Sequence, residues 1–150
     1  MTIAIVLKVG DGVVLGADSA TTLLSESGYP DDVYFNAEKV FNLVKGMPLG
    51  VVTYGLGGLD GRSVTSLAKE LRSRLSGSDP AWRLDRTNYT VEQASKLLRD
   101  FFYKEFYGRE FPVRVKDKSG KDVEQYEPMG FIVAGFSADA RHPEVWRVDI

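Results

Sequence analysis

Thr2 stands directly behind Met1, and a threonine in that place has a chemistry that an internal threonine lacks. Aminopeptidases that trim the initiator methionine act when the next residue is small, and threonine qualifies. Removal of Met1 would leave a free α-amine and a hydroxyl on one residue. A hydroxyl is a weak nucleophile unless a base takes its proton. An α-amine has a pKa of about 7.7 to 8.0, so it is partly neutral at physiological pH and can serve as that base. The arrangement needs no histidine, cysteine or metal. The chain has one histidine, His142, and no cysteine, which excludes disulfides, thiolate zinc sites, cysteine nucleophiles and a histidine-rich metal centre. No cofactor is expected.

Three further features fit the same chemistry. Asp18 closes the second predicted strand, beside the start of the first if the two form a hairpin. Lys39 opens the third. A lysine near the nucleophile lowers the pKa of hydroxyl and amine electrostatically, and an aspartate beside the lysine keeps it charged and in place. Gly57 and Gly58 lie where a strand hands over to a helix, so backbone N–H groups there can face a developing oxyanion. Each residue also has a plain role: a turn aspartate, an exposed lysine, glycines that serve only backbone geometry.

The elements that must position these residues can be read from periodicity. Residues 3–8 form a strand apolar on both faces, which predicts cover on both sides. Gly10, Asp11 and Gly12 make a tight turn, and residues 13–17 form its antiparallel partner. Residues 23–36 read mostly as loop. Residues 39–44 and 49–54 form a second hairpin around Lys45, Gly46 and Pro48. A glycine cluster at 55, 57, 58 and 61 leads into an amphipathic helix over 61–76, with Val64, Leu67, Ala68, Leu71 and Leu75 on one face. Thr90 with Gln93 reads as a capping box for a second helix over 90–107. Residues 113–126 form a charged hairpin turning at Ser119 and Gly120, and strands follow at 131–136 and 145–150. Strands, two helices, then strands give an α+β domain with helices layered on antiparallel sheets.

Composition bounds the function. A chain of 150 residues suffices for one domain that buries roughly two-thirds of its unfolded surface. The net charge of −2 gives no electrostatic case for nucleic acid or an anionic membrane. No apolar run approaches the roughly 20 residues of a membrane span, and no basic segment precedes an apolar one as in a secretory signal. A cytoplasmic protein is expected.

The stretches DGVVLGADSATT, KVFNL, GVVTYGLGG and GFIVAGFSADARHPEVWRVDI together resemble the proteasome β-type subunits and the bacterial HslV peptidase. The likeness is good over residues 1–76 and moderate over 128–150; residues 109–126 have no counterpart. It implies an N-terminal nucleophile hydrolase with a four-layer αββα sandwich of antiparallel sheets. It implies Thr2 as the nucleophile with its own amine as base. Asp18, in a D-x-x-x-T setting, and Lys39 would tune the threonine, and Thr22 would bind the substrate backbone. Gly57 would supply the oxyanion amide; Gly55 is the other choice, because GLGG aligns two ways, and otherwise lies with Thr22 in the substrate site. The implied partners are a peptide or protein substrate and further copies of the chain in a homo-oligomeric ring, with any ATPase partner left open. Family members continue for another helix pair and more strands. One helix pair covers one outer face only, so the chain is expected to be the N-terminal part of a longer domain.

The reading drawn from these residues is a threonine-type peptidase or amidohydrolase, with a non-catalytic, ring-building or partner-binding subunit as the rival. Other constellations are weaker. YGLGGLDG follows a strand and precedes a helix but fails G-x-G-x-x-G, because Asp60 stands where the third glycine belongs. Residues 117–124 lack the ligand spacing of a calcium loop. His142 with Asp139 and Glu144 reads as a polar hairpin loop rather than a metal site.

Overall fold

The computed structural model describes residues 3–24, 30–34 and 37–150, with side chains described outside the segments 21–24 and 30–34. The chain starts with a hairpin, β1 (Ala4–Lys8) and β2 (Val13–Ala17), in which Ala4 faces Ala17 and Lys8 faces Val13. A second small hairpin follows, β3 (Thr21–Leu24) and β4 (Pro30–Tyr34). The sequence reading had a loop there, since a short polar stretch such as PDDVY carries little strand propensity. Next come β5 (Val40–Asn42), β6 (Leu49–Gly55), and the two-residue strands β7 (Gly58–Leu59) and β8 (Arg62–Ser63). Helices α1 (Val64–Leu75) and α2 (Val91–Phe102) follow, and α2 runs into a π-helical turn over Tyr103–Tyr107. The chain then forms the hairpin β9 (Val113–Lys116) and β10 (Asp122–Gln125), and finally β11 (Met129–Gly135) and β12 (Glu144–Asp149).

The principal sheet has four antiparallel strands in the order β12-β11-β6-β5. Its pleat separates two rows. Phe41, Val51 and Val133 align across β5, β6 and β11, and with Phe131 they join the buried faces of both helices in one core. Val40, Val52 and Ile132 align on the opposite face, toward the β1–β2 hairpin. Gly50 is the close approach there: a Cβ at that position would stand 2.7 Å from Leu15 Cδ1.

The helices form for local reasons. In α1 the apolar residues Val64, Leu67, Ala68, Leu71 and Leu75 recur at helical spacing and are buried. In α2 the buried stripe is Val91, Ala94, Leu98, Phe101 and Phe102. Phe102 meets Phe131 with ring centroids 4.5 Å apart, which ties α2 to β11. Arg74 joins the helices, reaching Glu70 and Glu105 at 2.6 Å each and lying 5.0 Å over the Phe101 ring. Thr90 caps α2 by accepting the Gln93 N–H at 3.0 Å. Thr90→Ala should therefore cost about 1 kcal/mol, read as a lower urea midpoint at unchanged slope. No loss would show that the cap is supplied elsewhere.

The four-layer αββα sandwich implied by the resemblance is not what forms. Among the described residues there are small antiparallel sheets and only two helices of more than one turn. Both helices cover the same face of the four-stranded sheet. No second full sheet forms among the described residues: β1 with β2, and β3 with β4, pair as separate two-stranded hairpins. The expectation that β1 is covered on both faces also fails, because Ile3, Ile5 and Leu7 are each more than half exposed. No helix among the described residues is long and apolar enough to cross a membrane.

Candidate active site

The register of the first hairpin carries Asp18 back to the start of β1. Ala4 faces Ala17, so the next pair outward is Ile3 with Asp18. The Asp18 N–H donates to the Ile3 carbonyl at 3.1 Å, and the Ile3 N–H donates to Asp18 Oδ1 at 2.8 Å. That second amide is the nitrogen of the peptide bond joining Thr2 to Ile3. Thr2 itself lies outside the described residues.

Lys39 reaches the same carboxylate from the principal sheet. Its Nζ donates to Asp18 Oδ2 at 3.2 Å and to Oδ1 at 3.3 Å, and to the Ala20 carbonyl. Lys39 is buried, whereas the Asp18 side chain is one-quarter exposed. A buried ammonium must be paired and hydrogen-bonded to be tolerated, and these acceptors meet that need. The lysine backbone is fixed on both sides. Its carbonyl accepts the Thr53 N–H at 2.9 Å, and the preceding Glu38 carbonyl accepts the Thr65 hydroxyl at 3.0 Å. Ala37 donates to the Ser19 carbonyl at 3.0 Å, so the strand leading to Lys39 and the turn after Asp18 are stitched together.

The Ile3 N–H is the chief cause that holds the Asp18 carboxyl below its ordinary value; the Lys39 ammonium and the Ala20 backbone act in the same direction, against desolvation. The native state therefore keeps Asp18 ionised to lower pH than the unfolded chain does. Its contribution to stability is complete above the ordinary aspartate value and is lost as pH falls through the depressed native one. Asp18→Asn should make the acid limb of a urea-midpoint profile shallower below about pH 4. Glu70, Asp100 and Asp149 are also held low, so the limb is reduced rather than abolished. An unchanged profile would mean that the pair does not form in solution.

The other expected site residues are placed less closely. Gly57 lies between β6 and β7, exposed, with its carbonyl accepting the Val64 N–H at 3.0 Å and its own N–H unbonded within the described residues. It does not open the helix directly, because the β7–β8 hairpin comes between it and α1. Gly55 ends β6 in a left-handed conformation, φ +83°, against the Pro128 carbonyl. Thr22 sits in β3 opposite Val33, and its side chain is outside the described residues. No bond or ion pair among the described residues joins Gly55 or Gly57 to the Asp18–Lys39 pair. What joins them is strand direction: β5 begins, and β6 ends, at the same end of the sheet.

Sequence reasoning missed the acceptors and donors that complete the pair, namely the Ala20 carbonyl, the Ile3 N–H and the Thr65–Glu38 tie. The Ala20 carbonyl, the Ile3 N–H and the Glu38 carbonyl are backbone groups with no signature of residue type, and the Thr65 hydroxyl meets its acceptor only through packing, so no signal in the sequence marked them. His142 and Glu144 have structural partners: the His142 ring nitrogen Nδ1 is 2.7 Å from the Gly10 carbonyl, and Glu144 accepts from Ser137. Among the described residues no group of three histidine, cysteine, aspartate or glutamate side chains could hold a metal ion. No family model, curated protein or solved structure matches the chain.

Proposed function

We propose that this chain hydrolyses amide bonds of peptides or proteins with the hydroxyl of Thr2 as nucleophile. The observation that supports it is the Asp18 carboxylate, which holds the Lys39 ammonium while accepting the N–H of the amide that joins Thr2 to Ile3. A cation beside a threonine hydroxyl and its amine favours their deprotonated forms. The chemistry runs in two steps. The Thr2 oxygen attacks the substrate carbonyl as its proton passes to the Thr2 α-amine. The tetrahedral centre collapses, the proton moves to the departing amine, and an acyl ester remains on Thr2. Water, losing a proton to the same amine, then attacks the ester and releases the acid. The Gly57 N–H is the donor assigned to the oxyanion. The reading extends to a cytoplasmic enzyme working in a ring of identical copies, with no ATPase partner assigned.

Intact-mass analysis of the purified, active protein tests this. The expected mass lacks Met1, because the amine that acts as base must be that of Thr2. Peptide cleavage by material that retains Met1 would overturn the mechanism. A second reading, a non-catalytic subunit that builds assemblies, is favoured by the exposed apolar face of the β1–β2 hairpin. It is separated from the first by whether any peptide is cleaved at all.

A further inference from the structure

The principal sheet has two edges, and they are finished differently. At one edge β5 is three residues long, and Arg72 Nε donates to its outward carbonyl, that of Asn42, at 3.0 Å. At the other edge β12 runs for six residues. The Ile150 N–H donates to the Met129 carbonyl at 2.9 Å, so the even-numbered residues bond to β11 and the backbone N–H and C=O of Val145, Arg147 and Asp149 point outward. These groups have no partner among the described residues. No lysine, proline or bulge interrupts β12, the devices that usually protect an edge. The exposed side chains there are also only half used. Arg147 Nε donates to Asp149 Oδ1 at 3.0 Å and to the Tyr54 hydroxyl at 3.1 Å, and that hydroxyl donates to the same Oδ1 at 2.6 Å. Among the described residues the Arg147 Nη atoms and Asp149 Oδ2 take part in no hydrogen bond.

We infer that β12 is where two copies of the chain associate, edge to edge and antiparallel about a two-fold axis, which joins their principal sheets into one. A row of alternating backbone donors and acceptors is matched by another strand, and the charges on β12 say which strand. Outward-facing residues must oppose one another in such a pairing, so few registers exist. Arg147 opposite Arg147, or Asp149 opposite Asp149, sets like charges together. Arg147 opposite Val145 leaves Asp149 against Pro143, which has no N–H to give. Arg147 opposite Asp149 is complementary, and the axis repeats it. Each such pair exchanges two backbone hydrogen bonds, and the unbonded Nη atoms of one copy face the unbonded Oδ2 of the other. On the helix-bearing face the same register sets Val148 against its counterpart and Trp146, 37% exposed, against Ile150. The expected complex is a reversible dimer, and it requires nothing of the proposed hydrolase.

Sedimentation velocity of the whole chain, from about 1 to 100 µM, reads the outcome. The expected result is a concentration-dependent shift from 16.6 kDa to twice that mass. Over the same range the outward amides of Arg147 and Asp149 should exchange their hydrogens more slowly as the dimer forms. Arg147→Asp sets aspartates against each other, and Asp149→Arg sets arginines against each other. Each should weaken association about tenfold or more while far-UV circular dichroism and the thermal transition stay those of a folded chain. The double variant, Arg147→Asp with Asp149→Arg, restores opposite charges in the same register and should recover the dimer. A monomer at every concentration would overturn the inference, as would exchange at Arg147 and Asp149 that does not change with concentration. So would a dimer indifferent to both single reversals, or one that the double reversal fails to restore.

Discussion

Thr2→Ala is expected to abolish peptide turnover, by at least about a thousandfold, while leaving folding and assembly unchanged. The substitution removes one hydroxyl and one methyl group and keeps the α-amine, so the proposed base survives without the nucleophile it serves. A thousandfold loss corresponds to about 4 kcal/mol of transition-state stabilisation, more than a displaced binding contact usually supplies. Thr2→Ser should retain measurable turnover, because amine and hydroxyl remain on one residue. The measurement is steady-state cleavage of a fluorogenic peptide, alongside thermal unfolding of each variant. Turnover by Thr2→Ala at more than a few per cent of the parent rate would sink the threonine mechanism. Loss in Thr2→Ala with an altered thermal transition would instead point to a structural role for the side chain.

Gly55→Ala is expected to destabilise the protein by about 2 to 5 kcal/mol. Two costs combine there. The residue has φ +83°, where a Cβ is unfavourable by about 1 to 2 kcal/mol. The new Cβ would also stand 2.1 Å from the Pro128 carbonyl oxygen and 3.1 Å from Met129 Cα. Met129 opens β11, the strand paired with β6, and Pro128 directly precedes it, so relief requires that end of the principal sheet to shift. Gly61→Ala separates the two costs. Gly61 has φ +66° but nothing within 4 Å of its added Cβ, so that variant should lose only the conformational part. Urea unfolding of both variants reads the difference. A Gly55→Ala midpoint equal to that of Gly61→Ala would show that the contact with Pro128 is relieved without cost. Gly55, a candidate for the oxyanion or the substrate site, thus also has a backbone reason to be glycine.

How much of the site could be read from the chain depends on how local each contact is. Asp18 was legible. A turn at Gly10–Gly12 reverses the chain, and the pairing of Lys8 with Val13 then carries Ile3 to Asp18 by counting. Lys39 lies 21 residues further on, and its approach depends on how the hairpin lies across β5 and β6. Residue type made it a candidate; only packing brings its ammonium to the carboxylate. Gly57 shows the opposite case. Its glycine neighbours suggested a direct passage from strand to helix, and the two-residue strands β7 and β8 come between. Those strands are too short to leave a periodic signal.

The sequence by itself determined the two helices, the β5–β6 hairpin and the last two strands, because apolar spacing, the Thr90 cap and turn glycines act within a few residues of one another. It also determined the hairpin register that puts Asp18 beside Ile3. Only the tertiary structure decided how those pieces are layered. Alternation along β1 shows that both faces are apolar, yet it cannot say which face meets a partner. The structure packs one face on the principal sheet and leaves Ile3, Ile5 and Leu7 exposed, and both helices gather on the far side of that sheet. The physical reason is the range of the interactions. Backbone hydrogen bonds and helical periodicity are set by neighbours in sequence, whereas burial and the pairing of a buried ammonium with a carboxylate are set by neighbours in space.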